Sequence, residues 1–223
     1  MFYKETAFLG VEWELDDTTE YLISKERIRE IIIVAIENTQ HRDFEYTHVY
    51  VSQDGGGKAD HYADFIMNDL KPFIDKKYRT LKDRQYTGIL GSSLGGLVSL
   101  YMTWKYPNIF SMAGVVSPSV WWANRDILEM VQRTKKKPPI KIWLDIGTYE
   151  GEHKDAELNQ AVLDTRELRD ALIDKGFRMH FDLEYLEAEG AEHNEASWAQ
   201  RVDKILLYFF GARSSFATKT IKI

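Results

Sequence analysis

The sequence contains no cysteine among its 223 residues. That absence excludes disulfide bonds, metal sites with thiolate ligands and a cysteine nucleophile, and it says little about the compartment in which the protein works. Apolar runs of membrane-spanning length are missing as well, and no N-terminal apolar segment resembles a signal peptide. We therefore expect a cytoplasmic protein with no membrane contact.

The sequence also lacks an excess of positive charge. Its formal net charge is −6, and acidic and basic residues are interspersed. The one basic run, three lysines at 135–137, precedes two prolines, which is typical of a solvated loop. We therefore expect no nucleic-acid partner. With 44% hydrophobic and 13% aromatic residues, the chain can bury a sizeable core, and we expect residues 1–223 to form a single domain with a polar tail at 212–223.

Apolar patterning predicts strands that alternate with helices. The predicted strands are 31–36, 87–90, 112–117, 140–147 and 179–186. The run at 31–36, Ile-Ile-Ile-Val-Ala-Ile, is almost entirely β-branched and predicts a strand covered on both faces. Helical spacing predicts helices between the strands, with a break at Pro72, and a last helix through Trp198 and Phe209. This alternation predicts an α/β fold with a mostly parallel sheet and helices on both faces.

The stretch from Gly91 to Gly95, Gly-Ser-Ser-Leu-Gly, matches the G-x-S-x-G nucleophile elbow with Ser93 at its apex. A predicted strand precedes it and a predicted helix follows it, as the motif requires, whereas a bare glycine-rich turn without chemistry requires neither. Gly91 and Gly95 remove side chains that would clash in such a sharp turn. The motif predicts Ser93 as the nucleophile and the backbone N–H of Leu94 as an oxyanion donor.

Two further loops at the carboxyl edge of the predicted sheet carry residues that a serine nucleophile needs. Glu150 follows one strand and His193 follows the last, which is the Ser-acid-His order expected for α/β-hydrolases. A serine hydroxyl needs a base within hydrogen-bond reach, and the base needs a carboxylate to fix its tautomer. We predict His193 as the base and Glu150 as the carboxylate, with Asp155 as the second candidate for the acid and a capping or surface role as the alternative for His193.

Glu150, His153 and Asp155 also raise the alternative of a metal site. Their spacing matches no characteristic ligand pattern, so a solvated loop is the better interpretation. The sequence therefore predicts no metal and no cofactor.

Several segments, in order and spacing, resemble the putative-esterase (esterase-D-like) branch of the α/β-hydrolases, which includes enterochelin esterases, feruloyl esterases and S-formylglutathione hydrolases. The most specific are Ser-Pro-Ser-Val-Trp-Trp at 117–122 and Gly-Ala-Glu-His-Asn at 190–194, and shorter matches lie at 36–46, 55–60, 91–96 and 145–150. The resemblance covers nearly the whole chain. It implies an α/β-hydrolase fold, with Ser93 as nucleophile, His193 as base and Glu150 as acid.

One part of the family pattern is missing. The family's second oxyanion donor comes from a loop of the form His-Asp-Gly-Gln-Asn that precedes the segment matching residues 2–13. We therefore expect a chain that lacks the first strands of the fold and takes the second donor from Gly56, from its N-terminal segment or from a partner subunit. An exposed sheet edge would favour a homodimer.

These features predict a serine carboxylic-ester hydrolase that acts on a small-molecule ester through an acyl-enzyme. Trp121 and Trp122 would line a substrate pocket or, equally, pack their loop onto the core, and Arg42 would bind an anionic or hydroxylated substrate or remain an exposed charge. Two alternatives stay open. One is acyl transfer to a sugar or alcohol on the same triad, and the other is a truncated hydrolase fold that serves binding or assembly.

Overall fold

The computed structural model of the chain describes residues 10–151, 153 and 155–211. Helices and strands alternate along most of these residues, and in chain order they are α1 (Leu15–Ser24), α2 (Arg42–Glu45), β1 (Tyr50–Val51), β2 (Gly55–Gly56), α3 (Ala59–Phe65), α4 (Lys71–Lys77), β3 (Gly88–Ser92), α5 (Leu94–Lys105), β4 (Met112–Val116), α6 (Trp122–Arg133), β5 (Lys141–Gly147), α7 (Gln160–Asp174), β6 (Leu183–Ala188), α8 (Glu195–Ala199) and α9 (Val202–Phe210).

Strands β3 to β6 form a parallel sheet in the order β3-β4-β5-β6, so strands that follow one another in sequence are neighbours in space. The register pairs Ser92 with Val116 and Val116 with Asp145, at or near the carboxyl ends of three adjacent strands. The loops after these strands therefore meet at one edge of the sheet. The predicted α/β fold with a parallel sheet and flanking helices is confirmed.

Apolar side chains cover both faces of this sheet. One buried cluster includes Leu97 and Leu100 of α5 with Ile142 of β5, and a second cluster includes Trp143 of β5 and Ile205 of α9. Helix α5 is buried on nearly all sides, which explains why its sequence has no polar stripe. The two clusters hold β3 and α5 firmly, and the turn between them carries the elbow motif.

The prediction of a strand at 31–36 is wrong, because the structure forms no strand there. Ile31 and Ile33 are partly buried, whereas Ile32 is 50% exposed and Val34 is 39% exposed, so only one side of the run packs against the protein. The run and the outer edge of β3 line the same cleft of ≈1860 Å³. A strand needs a hydrogen-bonded neighbour, and within the described residues none reaches this run.

The last strand begins later than predicted, and the last predicted helix is divided in two. A tight turn occupies 178–182, with His180 at φ 62°, so β6 begins at Leu183 instead of residue 179. The final helix is divided at Arg201 into α8 and α9. Within the described ranges, no helix is both long and apolar enough to cross a membrane.

The predicted break at Pro72 is confirmed. Pro72 lies in the first turn of α4, and one π-helical turn, Ile66–Leu70, separates that helix from α3. Proline has no N–H for the helical hydrogen bond and its ring displaces the carbonyl four residues earlier, so the regular α-helical pattern cannot run through it.

Candidate active site

Ser93 lies between β3 and α5 with φ 58° and ψ −125°, a conformation that non-glycine residues rarely adopt. Its N–H donates to the carbonyl of Val116 at 3.0 Å. Gly91 and Gly96 are sterically required, whereas the prediction for Gly95 is wrong, because a Cβ there would meet nothing nearer than the ring of Tyr46 at 3.9 Å. A Cβ on Gly91 would lie 2.7 Å from the carbonyl carbon of Gly95, and one on Gly96 would lie 2.9 Å from the carbonyl oxygen of Val116. The turn therefore holds the Ser93 side chain in one place at the end of the strand.

Leu94 is the first residue of α5, so its N–H has no acceptor within the helix. The positive end of the helix dipole adds to the attraction of this N–H for an anion. Leu94, Ser93 and Ser119 line a small cleft of ≈350 Å³. The predicted oxyanion donor thus lies beside the predicted nucleophile.

His193 and Glu150 meet at the carboxyl edge of the sheet. The Nδ1 atom of His193 lies 2.8 Å from Oε2 of Glu150, whose side chain is 1% exposed. The other carboxylate oxygen accepts the N–H of Gly147 at 2.6 Å and the hydroxyl of Ser117. With both oxygens engaged, the Glu150 carboxylate can hold only the Nδ1–H tautomer of His193, which leaves Nε2 free to accept a proton.

Asp155, the other candidate for the acid, lies in an exposed loop where its carboxylate accepts the N–H of Glu157 at 3.0 Å. The structure therefore brings Glu150, and not Asp155, to His193. In the described part of the chain, no group of three or more His, Asp or Glu side chains could hold a metal ion.

Ser117, directly after β4, connects the elements around Glu150. Its hydroxyl donates to Glu150 and accepts the indole N–H of Trp198 and the guanidinium of Arg201, both at 3.0 Å. A hydroxyl can donate one hydrogen bond and accept two, so the Ser117 hydroxyl makes all the hydrogen bonds that it can. Ser117 is held at φ 43°, in the left-handed region, by an N–H bond to the side chain of Asp145 at 3.1 Å.

Arg201 is buried between two carboxylates. It lies 3.1 Å from Asp145 and 3.6 Å from Glu150, and all three side chains are 2% exposed or less. Burial raises the pKa of Asp145 to about 6, although the Arg201 charge and the Trp143 N–H act in the opposite direction. Arg201 offsets the negative charge that two buried carboxylates would otherwise leave uncompensated.

Replacing Ser117 with alanine is expected to lower the free energy of unfolding by about 1–3 kcal/mol, because the buried N–H groups of Trp198 and Arg201 lose their shared acceptor. Ser117→Gly is the matched variant. It also lacks the hydroxyl but accepts a positive φ without strain, so it should be more stable than the alanine variant by about 1 kcal/mol. Urea denaturation measures both, and an alanine variant as stable as the wild type would contradict the assignment.

Ser93 and His193 line the same large cleft, the one of ≈1860 Å³. Among the described residues, the Ser93 hydroxyl is hydrogen-bonded to Ser119 at 3.2 Å and not to His193. Catalytic hydrogen bonds are often absent or long before a substrate binds, so this does not remove His193 as the base. The ring of Trp198 packs edge-on against His193 with centroids 4.9 Å apart, which restricts the rotation of the imidazole.

The two tryptophans of the predicted substrate pocket differ. Trp122 is 4% exposed, donates its indole N–H to the carbonyl of Val49 at 3.0 Å and packs so closely on Gly56 that a Cβ there would lie 2.7 Å from its ring, so its main role is packing. Trp121 is 57% exposed. Both line the small cleft at Ser93.

Arg42 lines both clefts at Ser93. Its guanidinium lies 3.5 Å from the carboxylate of Asp43 and over the ring of Tyr46. Gly56, one of the predicted sources of a second oxyanion donor, is buried beside Thr47 and Trp122 and is not among the described residues that line either cleft.

Three residues at this site had no role in the prediction from sequence: Ser117, Ser119 and Arg201. Ser117 and Ser119 follow β4, the strand next to the elbow strand, so the rule that reactive groups gather at the carboxyl edge could have identified them. Arg201 contacts residues more than 50 positions earlier in the chain, and no local pattern predicts such a contact.

Comparison with known families gives one match over most of the chain. A family model described as "Putative esterase" matches residues 10–209.

Curated relatives from Bacillus subtilis include YbbA and BesA. The protein YbbA, described as uncharacterized, is 28% identical over 206 residues, which cover 88% of this chain and 80% of YbbA. The ferri-bacillibactin esterase BesA is 36% identical over 130 residues, or 56% of this chain. The chain spans 44% of the length of BesA.

Among solved structures, an IroE-like serine hydrolase from Shewanella oneidensis superimposes with a TM-score of 0.71 at 21% identity, covering 88% of this chain and 66% of that protein. At this identity, the similarity shows the fold.

Proposed function

The chain belongs to the putative-esterase family, and on that premise we propose that it is a serine carboxylic-ester hydrolase that works through an acyl-enzyme. The observation that carries the proposal is the hydrogen bond of 2.8 Å between His193 and the buried carboxylate of Glu150, with His193 lining the same cleft as Ser93. A binding module has no need for an oriented, partly exposed imidazole on the same cleft as a serine on a strained turn.

In the first half of the proposed reaction, Ser93 Oγ attacks the ester carbonyl carbon while its proton moves to Nε2 of His193. The electron pair of the carbonyl double bond moves to the carbonyl oxygen, and the N–H of Leu94 donates to the resulting oxyanion. When the carbonyl reforms, the bond to the leaving alcohol breaks and His193 returns the proton to that alcohol. Ser93 is then acylated.

In the second half, water attacks the acyl carbon and gives its proton to His193. The bond to Ser93 breaks, and the serine oxygen takes the proton back, which releases a carboxylic acid. Throughout the cycle Glu150 keeps its charge and stabilises the imidazolium through Nδ1–H. The net reaction converts ester and water into acid and alcohol.

For the substrate, we propose a small ester that carries aromatic and anionic or hydroxylated groups, such as a siderophore trilactone; the name of BesA gives ferri-bacillibactin as the substrate of that relative. The exposed indole of Trp121 and the guanidinium of Arg42, both on clefts at Ser93, support this class. Purified protein should hydrolyse a catecholate trilactone and p-nitrophenyl butyrate, and a fluorophosphonate should label one serine. If the protein neither hydrolyses these esters nor reacts with the fluorophosphonate, the proposed esterase activity is rejected.

Replacing Trp121 with alanine is expected to raise KM for the catecholate trilactone about fivefold, because a stacked aromatic contact contributes about 1 kcal/mol. KM for p-nitrophenyl acetate, which offers a smaller aromatic surface to the indole, should change less. Phe181→Ala is the matched control, since Phe181 is a similarly exposed aromatic residue in the turn that precedes β6. Equal effects of the two substitutions on the trilactone would exclude Trp121 from substrate binding.

A further inference from the structure

Among the described residues, Ser119 is the one whose side chain is hydrogen-bonded to the hydroxyl of the proposed nucleophile. Its Oγ atom lies 3.2 Å from Oγ of Ser93, and in the described part of the chain this is the one hydrogen bond that the Ser119 side chain makes. Ser119 is 4% exposed. Its N–H donates to the carbonyl of Ser93 at 3.1 Å, and its own carbonyl accepts the N–H of Trp122 at 3.2 Å, so its backbone is held from both sides.

The count of protons decides the direction of this hydrogen bond during the reaction. Each serine hydroxyl has one proton. When Ser93 directs its proton to His193, it has none left for Ser119, so Ser119 must be the donor. Once Ser93 Oγ is bonded to the acyl carbon it becomes a poor acceptor, while negative charge develops on the carbonyl oxygen attached to the same carbon. The Ser119 hydroxyl can rotate about its Cβ–Oγ bond and follow that charge.

We propose that the Ser119 hydroxyl is the second oxyanion donor, acting with the N–H of Leu94. This inference rests on the proposed function. Ser119 and Leu94 line the small cleft together with Ser93, so a carbonyl oxygen that enters this cleft meets both donors. A hydrogen bond to an oxyanion is about twice as strong as one between neutral groups, so this contact stabilises the transition state more than the bound ester. Because the backbone of Ser119 is held on both sides, only its hydroxyl hydrogen has to turn as the charge develops.

The test is steady-state hydrolysis of p-nitrophenyl butyrate by the wild type, Ser119→Ala and Ser119→Thr. We expect the alanine variant to lose about 10²-fold in kcat with KM nearly unchanged, since this is the usual cost of one oxyanion donor. Threonine keeps the hydroxyl and should restore most of kcat. A trifluoromethyl ketone, which forms a tetrahedral adduct with serine, should bind the alanine variant more weakly by the same factor, while the thermal midpoint stays close to that of the wild type.

Two results would overturn the inference. In the first, kcat of Ser119→Ala stays within threefold of the wild type. In the second, the alanine and threonine variants lose activity equally and both melt early, which indicates a packing role. If the wild type itself neither turns over nor reacts with a fluorophosphonate, the proposed function fails and the role of Ser119 fails with it. An active wild type with an equally active alanine variant rejects only Ser119.

Discussion

Replacing Ser93 with alanine is expected to lower kcat for p-nitrophenyl butyrate by about 10⁶-fold, the scale of loss known for nucleophile removal in serine hydrolases. The covalent route disappears, and water would have to attack the ester directly. His193, Glu150 and the N–H of Leu94 remain in place and leave only weak residual catalysis. Steady-state kinetics measure the loss, and a fluorophosphonate should no longer label the protein.

Ser93→Gly is the matched variant for this experiment. Both variants lack the nucleophile, but glycine adopts the φ of 58° without strain. The free energy of unfolding of the glycine variant should therefore exceed that of the alanine variant by about 1 kcal/mol. Such a difference would mean that the elbow stores strain to present the serine. If the alanine variant keeps substantial turnover, the nucleophile is another residue and the proposed mechanism is wrong.

Replacing Glu150 with glutamine is expected to lower kcat by about 10⁴-fold with little change in KM. The reason is that the two carboxylate oxygens of Glu150 have different partners, the N–H of Gly147 for Oε1 and Nδ1 of His193 for Oε2. The N–H of Gly147, 2.6 Å from Oε1, requires an acceptor at that position, so the amide oxygen of glutamine must lie there. The amide NH₂ then faces Nδ1 of His193, which must become the acceptor. His193 would carry its proton on Nε2 and could no longer take one from Ser93.

Asp155→Asn is the control for this prediction. Asp155 lies in the same loop and was the alternative acid, but it is exposed and bonded to Glu157. Its replacement should leave kcat unchanged. The proposed role of Glu150 would be rejected if the Asp155 variant lost activity while the glutamine variant kept it. Circular dichroism on both variants checks that the buried Glu150 position tolerates the amide.

The tight turn at Ser93 could be predicted from the sequence because most of its causes are local. Gly91 lies against the backbone of Gly95, four residues later, and the following helix supplies the N–H of Leu94 whatever the rest of the chain does. The steric limit at Gly96 is different, because it comes from the backbone of Val116 in the neighbouring strand. The Glu150–His193 pair was also predicted, because parallel strands bring their carboxyl ends to one edge and chain order then assigns the loops.

The strand at 31–36 was predicted wrongly for a physical reason. A β-branched apolar run favours extended backbone, but a strand exists only where a neighbour accepts and donates its hydrogen bonds, and composition carries no information about the neighbour. The choice between Trp121 and Trp122 was open for a similar reason. The two side chains are adjacent and chemically identical, so they differ only in their surroundings. Trp122 packs against Val49 and Gly56, whereas Trp121 is exposed to solvent.

The sequence by itself determined the α/β alternation, the nucleophile elbow and the identity of the residues that could assist it, because periodicity, glycine placement and chain order act over a few residues. The tertiary structure alone decided that Glu150 and not Asp155 meets His193, that Ser117 joins Trp198 and Arg201 to that carboxylate, and that Ser119 lies 3.2 Å from Ser93. These contacts join loops 26 to 84 positions apart in the chain, so only the packing of the sheet could bring them together.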